Sequence, residues 1–387
     1  MPRFNRLILV LVCALLALPS VVSAQNAGAE LVGRAVLSAE SLNDGPPAGT
    51  ALSTGAVING VNVPFDSQPV GAISAILPGE YPGTWLAITS GQFNSSQNSA
   101  DFELRVYVFE FEFRRASGGS GQVSLLDRRI LSDSGGRIEK NIVNSSTRTR
   151  YLTGADFSPR SVQRAGDAYW VADESTPALL RFDTYGKLLE APIPLSGGAL
   201  QGMSVMPDGS ALIIAQRGRG RTVTFSAFNL TTRQFETLGG AYTLDRDNYT
   251  VGGIAMINAN EVVVLEIDSG ENRRAAFKRV YLFNVREGKN KTQLADLLNV
   301  SDPSGISTSG AFDQPKDAFG LGSTFKYPYR QISAVFPVDE QTLVIANNNN
   351  VPFGLGRSTS TADPTDYILI RLNQSLNLDP AFLRPIR

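Results

Sequence analysis

Five times along this chain a short apolar run is followed, after a turn, by a second run ending in small or polar residues, and then by a third. The first runs are Ile73-Ser-Ala-Ile76, Ser161-Val-Gln-Arg164, Met203-Ser-Val-Met206, Ile254-Ala-Met-Ile257 and Ile332-Ser-Ala-Val335. Trp85–Ile88, Tyr169–Ala172, Ala211–Ile214, Val262–Leu265 and Leu343–Ala346 follow them, and the third runs begin near Arg105, Leu179, Val223, Arg279 and Tyr367. Runs this short, rich in Val, Ile, Phe and Tyr and bounded by Gly, Asp and Asn, read as strands, and helical periodicity is scarce. A repeat of about 40 to 50 residues is the size of a four-stranded propeller blade. One such sheet cannot bury both faces alone, so it must stack on its neighbours.

The expected fold is therefore all-β: a closed β-propeller of four-stranded antiparallel sheets, with six blades in a range of five to seven. A pair of packed β-sheets is the alternative, disfavoured by the repeat. Segments 114–160 and 285–330 leave room for a further blade, and strands around Val32–Leu37 and Val57–Val63 are expected to complete the last one. A propeller of this length is one domain, here residues 25–387.

Before it, Arg3 and Arg6, the apolar stretch Leu7–Leu18 and Val22-Ser23-Ala24 have the pattern of a cleaved secretory signal. Residues 1–24 are thus expected to be removed and the mature chain to be secreted or periplasmic. No other stretch approaches the length of a membrane span. Loss of the two arginines takes 35 basic residues to 33 against 36 acidic ones, a charge of −3. That near-neutrality speaks against nucleic acid as a partner and against membrane insertion after cleavage.

Composition narrows the chemistry. The 387 residues include no histidine and one cysteine, Cys13, which lies inside the signal. Histidine-dependent triads, thiol–imidazole pairs and zinc sites are excluded, leaving carboxylates, hydroxyls, amides, guanidinium groups or a hard metal ion.

In a propeller, the starts of the first strands and the ends of the second strands converge on one mouth of the central channel. The first set includes Arg160, Gln201 and Ser333; the second includes Thr89-Ser90, Asp173-Glu174, Gln216-Arg217, Glu266 with Asp268, and Asn347–Asn350. Clustered carboxylates and amide oxygens suit Ca²⁺ or Mg²⁺, or leave one carboxylate as a general base. Against this stand plainer readings: Asp173-Glu174 capping a turn, Glu266 and Asp268 paired with Arg273, Arg274 or Arg279, and the asparagine run as a turn.

Leu31-Val-Gly-Arg-Ala-Val-Leu37, Pro64-Phe-Asp-Ser-Gln-Pro-Val70, Leu152-Thr-Gly-Ala-Asp-Phe157, Trp170-Val-Ala-Asp-Glu174 and Phe277-Lys-Arg-Val-Tyr281 occur in one order along the chain. In that order they resemble the secreted phytase-like propeller family, described by an esterase-like activity of phytase. The resemblance implies a propeller and a metal-assisted ester or phosphoester hydrolase. Its pattern matches Glu174, Glu266 and Asp268, which it implies as catalytic or metal-ligating. It also matches Asn347, Asn349 and Asn350, which join Asp173, Arg160 and Gln201 as candidate ligand-binding residues. Arg160, Gln201 and Ser333 stand where the family pattern has glutamates, and Asn348 where it has an acid, so the implied activity is reduced or lost. Two functions are expected to compete: a hydrolase for a small-molecule ester or phosphoester, and a non-catalytic propeller holding a ligand or protein at the same mouth.

Overall fold

The computed structural model describes residues 28–383, apart from 53–54, 92, 289–290 and 310–313. The proposed signal sequence lies outside the described residues. Among those described, five four-stranded antiparallel blades follow one another around a ring. The first blade comprises Ile73–Pro78, Thr84–Thr89, Arg105–Glu112 and Gln122–Ile130. The second comprises Pro159–Ala165, Ala168–Asp173, Ala178–Asp183 and the short Ile193–Pro194. The third holds Ala199–Val205, Ala211–Arg217, Thr222–Asn229 and Phe235–Thr243. Thr250–Met256, Glu261–Ile267, Lys278–Asn284 and Thr292–Asp296 form the fourth. The fifth takes Gln331–Pro337, Thr342–Asn348 and Thr365–Leu372 from the end of the chain and Ala29–Leu37 from its beginning. Each innermost strand packs on those of both neighbouring blades, and the fifth meets the first, so the ring is closed.

Five blades rather than six close it because the two long gaps do not hold a blade. Segment 114–160 carries the outermost strand of the first blade and then loops; 285–330 carries that of the fourth and a small pair, Val300–Ser301 with Thr324–Phe325. Ala29–Leu37 completes the last blade, as expected. Val57–Val63 does not: it forms a separate hairpin, Ala56–Ile58 with Val61–Val63, in an apolar cap with Phe65, Phe93 and Phe102.

The second strands explain why the repeat was visible. Val262 and Val264 face the seam with the third blade, whereas Val263 and Leu265 face the seam with the fifth. A strand buried on both faces reads as a continuous apolar run, without polar alternation. Five apolar clusters fill the five seams. At the end of the ring away from the strand starts, the chain terminus crosses beneath it. Leu376 N–H donates to Glu340 O, Asp379 N–H to Ile257 O, and Phe382 packs edge-on against Phe336.

Candidate functional site at the channel mouth

In all five blades the pairing of first and second strand slips by one residue near the mouth. The unpaired residues are Ser74, Arg160, Gln201, Gly252 and Ser333. A bulge of this kind bends the strand and re-aims one side chain. Here it turns equivalent residues toward the mouth and the next blade. Ser333 Oγ–H donates to Ile73 O at 2.6 Å, tying the fifth blade to the first. Gln201 Oε1 accepts from Thr250 Oγ–H at 2.8 Å and Val251 N–H at 3.1 Å, tying the third to the fourth. Arg160 reaches furthest, donating from Nε to Gln201 O at 3.3 Å and from Nη2 to Val251 O at 2.6 Å. At the fourth bulge there is no room for a side chain: a Cβ on Gly252 would meet Ile332 O at 2.0 Å.

A polar cleft of about 220 Å³ opens at this mouth between the first, second and fifth blades. Arg160, Glu174, Arg330, Asn348 and Asn350 line it with several serines. Glu174 Oε1 accepts from Ser158 Oγ–H at 3.0 Å, and its Oε2 lies 3.7 Å from Arg160 Nη1. Asn348 Nδ2–H donates to Ser90 Oγ and Asn350 Nδ2–H to Asn94 Oδ1, at 3.0 and 3.1 Å. Both amides are thereby oriented around the cleft.

The other expected residues are placed differently. Asp173 is fully buried and holds a turn, accepting Ser158 N–H at 2.5 Å and Thr176 N–H at 2.7 Å. Burial pushes its carboxyl up, and these N–H donors oppose that. Glu266 lies in the seam between the third and fourth blades. Its oxygens accept Tyr242 Oη–H and Asp245 N–H, both at 2.6 Å, and pair with Lys291 Nζ at 2.5 Å. The Lys291 ammonium sits over the rings of Tyr242 and Tyr281, 4.6 and 4.3 Å from their centroids, and also meets Asp245. Asp268 accepts Ala276 N–H at 3.0 Å and pairs with Lys278 at 2.8 Å. Burial lowers the Lys278 ammonium from its usual value, and Asp268 works against that shift. The counter-ions of these two acids are thus lysines, not the arginines expected. Asn347 is buried, its Oδ1 accepting Asp366 N–H at 2.7 Å; Asn349 Oδ1 accepts Ala72 N–H, also at 2.7 Å.

Of Glu174, Glu266 and Asp268, only Glu174 lines the cleft. Among the described residues no three acidic, histidine or cysteine side chains converge as metal ligands do. A single carboxylate already facing an arginine is too little charge for Ca²⁺ or Mg²⁺, whose affinity follows the number of anionic oxygens. The donor set does not fit such an ion. Arg330, which no motif in the sequence marks, immediately precedes the fifth innermost strand, Gln331–Pro337.

A family model described as "Phytase-like: Esterase-like activity of phytase" matches residues 68–351. No curated protein sequence matches. Among solved structures, the chain is similar to the luciferin-regenerating enzyme at 10% identity and TM-score 0.37, covering 92% of this chain and 95% of that one. It is similar to the Dos1 propeller at 9% and 0.35, covering 80% and 69%. Kuenenia stuttgartiensis hydrazine synthase gives 12% and 0.33, covering 75% of this chain and 66% of that one, just under two thirds of its length.

Proposed function

From the premise that the chain belongs to the phytase-like family, we propose that its channel mouth binds the anionic group of a small phosphoester without a metal ion. One observation carries this reading: Arg160 and Arg330 line a cleft whose one carboxylate, Glu174, already faces Arg160. Two guanidinium groups with serine hydroxyls and asparagine amides make a donor-rich pocket, complementary to an oxyanion. We place the protein in an exported compartment on the strength of its N-terminal pattern.

Titration with inorganic phosphate and phenyl phosphate tests it. Saturable binding, unaltered by chelator and weakened about tenfold in Arg330→Gln, is the expected result. No binding to the folded protein, or binding that needs Ca²⁺ or Mg²⁺, overturns it.

A hydrolytic reading has one observation in its favour, the 3.0 Å hydrogen bond from Ser158 Oγ–H to Glu174 inside the cleft. On that reading Glu174 is the general base, taking a proton from an attacking hydroxyl or water, with Arg160 stabilising the developing negative charge. Metal-independent turnover of a nitrophenyl ester, lost in Glu174→Gln, would favour it over binding alone.

A further inference from the structure

A second groove, of about 510 Å³, lies on the outer side of the ring where the first and second blades meet, away from the mouth. Asp127, Arg128, Arg129, Ser132, Thr149 and Tyr185 are among the residues that line it. The chain as a whole is balanced, 35 basic residues against 36 acidic, yet 127–151 carries Arg128, Arg129, Arg137, Lys140, Arg148 and Arg150 against Asp127, Asp133 and Glu139. Asp133 is buried and consumed by Arg150 at 2.8 Å. Asp127 pairs with Arg129 at 2.8 Å. Among the described residues the one ion-pair partner of Arg128 is Asp44, 3.9 Å away and with a 91% exposed side chain. Arg137 and Lys187 converge beside Gly135, whose added Cβ would lie 3.5 and 3.8 Å from their side chains. Among the described residues no carboxylate forms an ion pair with Arg137, Arg148 or Lys187.

Tyr185 is the second half of the argument. It is 86% exposed, at the tip of a turn in which Asp183 Oδ1 accepts the N–H groups of Tyr185 and Lys187, both at 2.9 Å. A ring held out on a fixed turn has lost its backbone freedom before any ligand arrives, so stacking on it costs little further entropy. We infer that this groove binds an acidic polysaccharide. Tyr185 stacks on a sugar face, Ser132 and Thr149 hydrogen-bond ring hydroxyls, and Arg128 receives a carboxylate within the groove; Arg137 and Lys187, which lie outside its lining beside Gly135, receive the carboxylates of the sugars that follow. A polyanion recognised by charge alone would leave the exposed Tyr185 ring and the Ser132 and Thr149 hydroxyls unused.

The test is calorimetry with oligogalacturonate at low salt, beside neutral galactan and polyglutamate, on the wild type, Tyr185→Ala and the double variant Arg128→Gln/Lys187→Gln. All three altered side chains lie at the surface, and circular dichroism with thermal unfolding verifies that each variant folds. The expected result is saturable binding to oligogalacturonate, about tenfold weaker or more for both control polymers and for both variants, and weakening as salt rises. No saturable binding, undiminished binding by Tyr185→Ala, or equal affinity for polyglutamate would each overturn the inference. Phosphate binding at the mouth is a separate readout in the same variants and stays at its wild-type value.

Discussion

Arg160 donates from Nε to the backbone carbonyl of Gln201 at 3.3 Å, and the two residues occupy the same bulge position in adjacent blades. Five equivalent bulges ring the mouth, and in this chain most of their side chains join blades. The sites where relatives are expected to place acids have become part of the ring's own fastening.

Gln201→Ala should therefore act on stability more than on ligands. The substitution strips a buried acceptor from Thr250 Oγ–H and Val251 N–H. Leaving such donors unsatisfied costs about 1 to 3 kcal/mol. Urea unfolding should show that loss with an unchanged slope, and Gln201→Glu, which retains the acceptor, should recover part of it.

Gly252→Ala is the harsher case. The added methyl would stand 2.0 Å from Ile332 O, a backbone atom of the next innermost strand that cannot rotate away. Separating the fourth and fifth blades to make room disturbs a well-packed seam, at about 3 kcal/mol or more. A thermal midpoint within 2 °C or so of wild type would contradict the tight seam.

The strands of the propeller were readable from sequence because burial on both faces leaves uninterrupted apolar runs such as Val262–Leu265. The outermost strands were harder: Gln122–Ile130 is exposed or half-buried, and Ser124, Asp127, Arg128 and Arg129 interrupt its Val123, Leu125, Leu126 and Ile130, so no continuous apolar run marks it. Blade number stayed open between five and seven because spacing cannot tell a long loop from a hidden blade. At the site, strand ends gave the ring positions but not the direction of each side chain. Glu174 follows the last strand residue and turns to the cleft, whereas Glu266, paired within its strand opposite Val251 and Arg279, turns into a seam. No spacing in the sequence marks Lys291, some 25 residues later, as its counter-ion.

That assignment separates structure from catalysis. Glu266→Gln removes the fully buried partner of Lys291 and leaves Asp245 to carry the ammonium. Breaking a buried pair from one side costs about 3 to 5 kcal/mol, and the remaining carboxylate should hold the loss near the lower value. Phosphate affinity at the mouth should stay unchanged at temperatures where the variant is folded. A loss of mouth binding without a loss of stability would return Glu266 to the functional site.

Asp363 gives the fold a dependence on pH. Its carboxylate accepts Gly356 N–H at 2.6 Å and Arg357 N–H at 2.7 Å, and its backbone carbonyl accepts Asn349 Nδ2–H at 3.1 Å beside the mouth. Burial pushes this carboxyl up to about 7; the two N–H donors and the Arg357 charge oppose the shift, and Glu271 adds to it. Well below the ordinary aspartate value of 3.8, folded and unfolded chains both hold the proton, and the residue contributes no difference. As pH rises toward 7 the unfolded chain gives up its proton while the folded one keeps it, so stability falls through this window by about 1.4 kcal/mol per pH unit at most. Above about 7 both forms are ionised and the contribution is flat. Asp363→Asn should remove this slope while losing one of the two N–H bonds, so its urea midpoint is lower at pH 5 and approaches that of wild type at pH 8. Parallel profiles for the two proteins between pH 5 and 7 would show that Asp363 is ionised throughout.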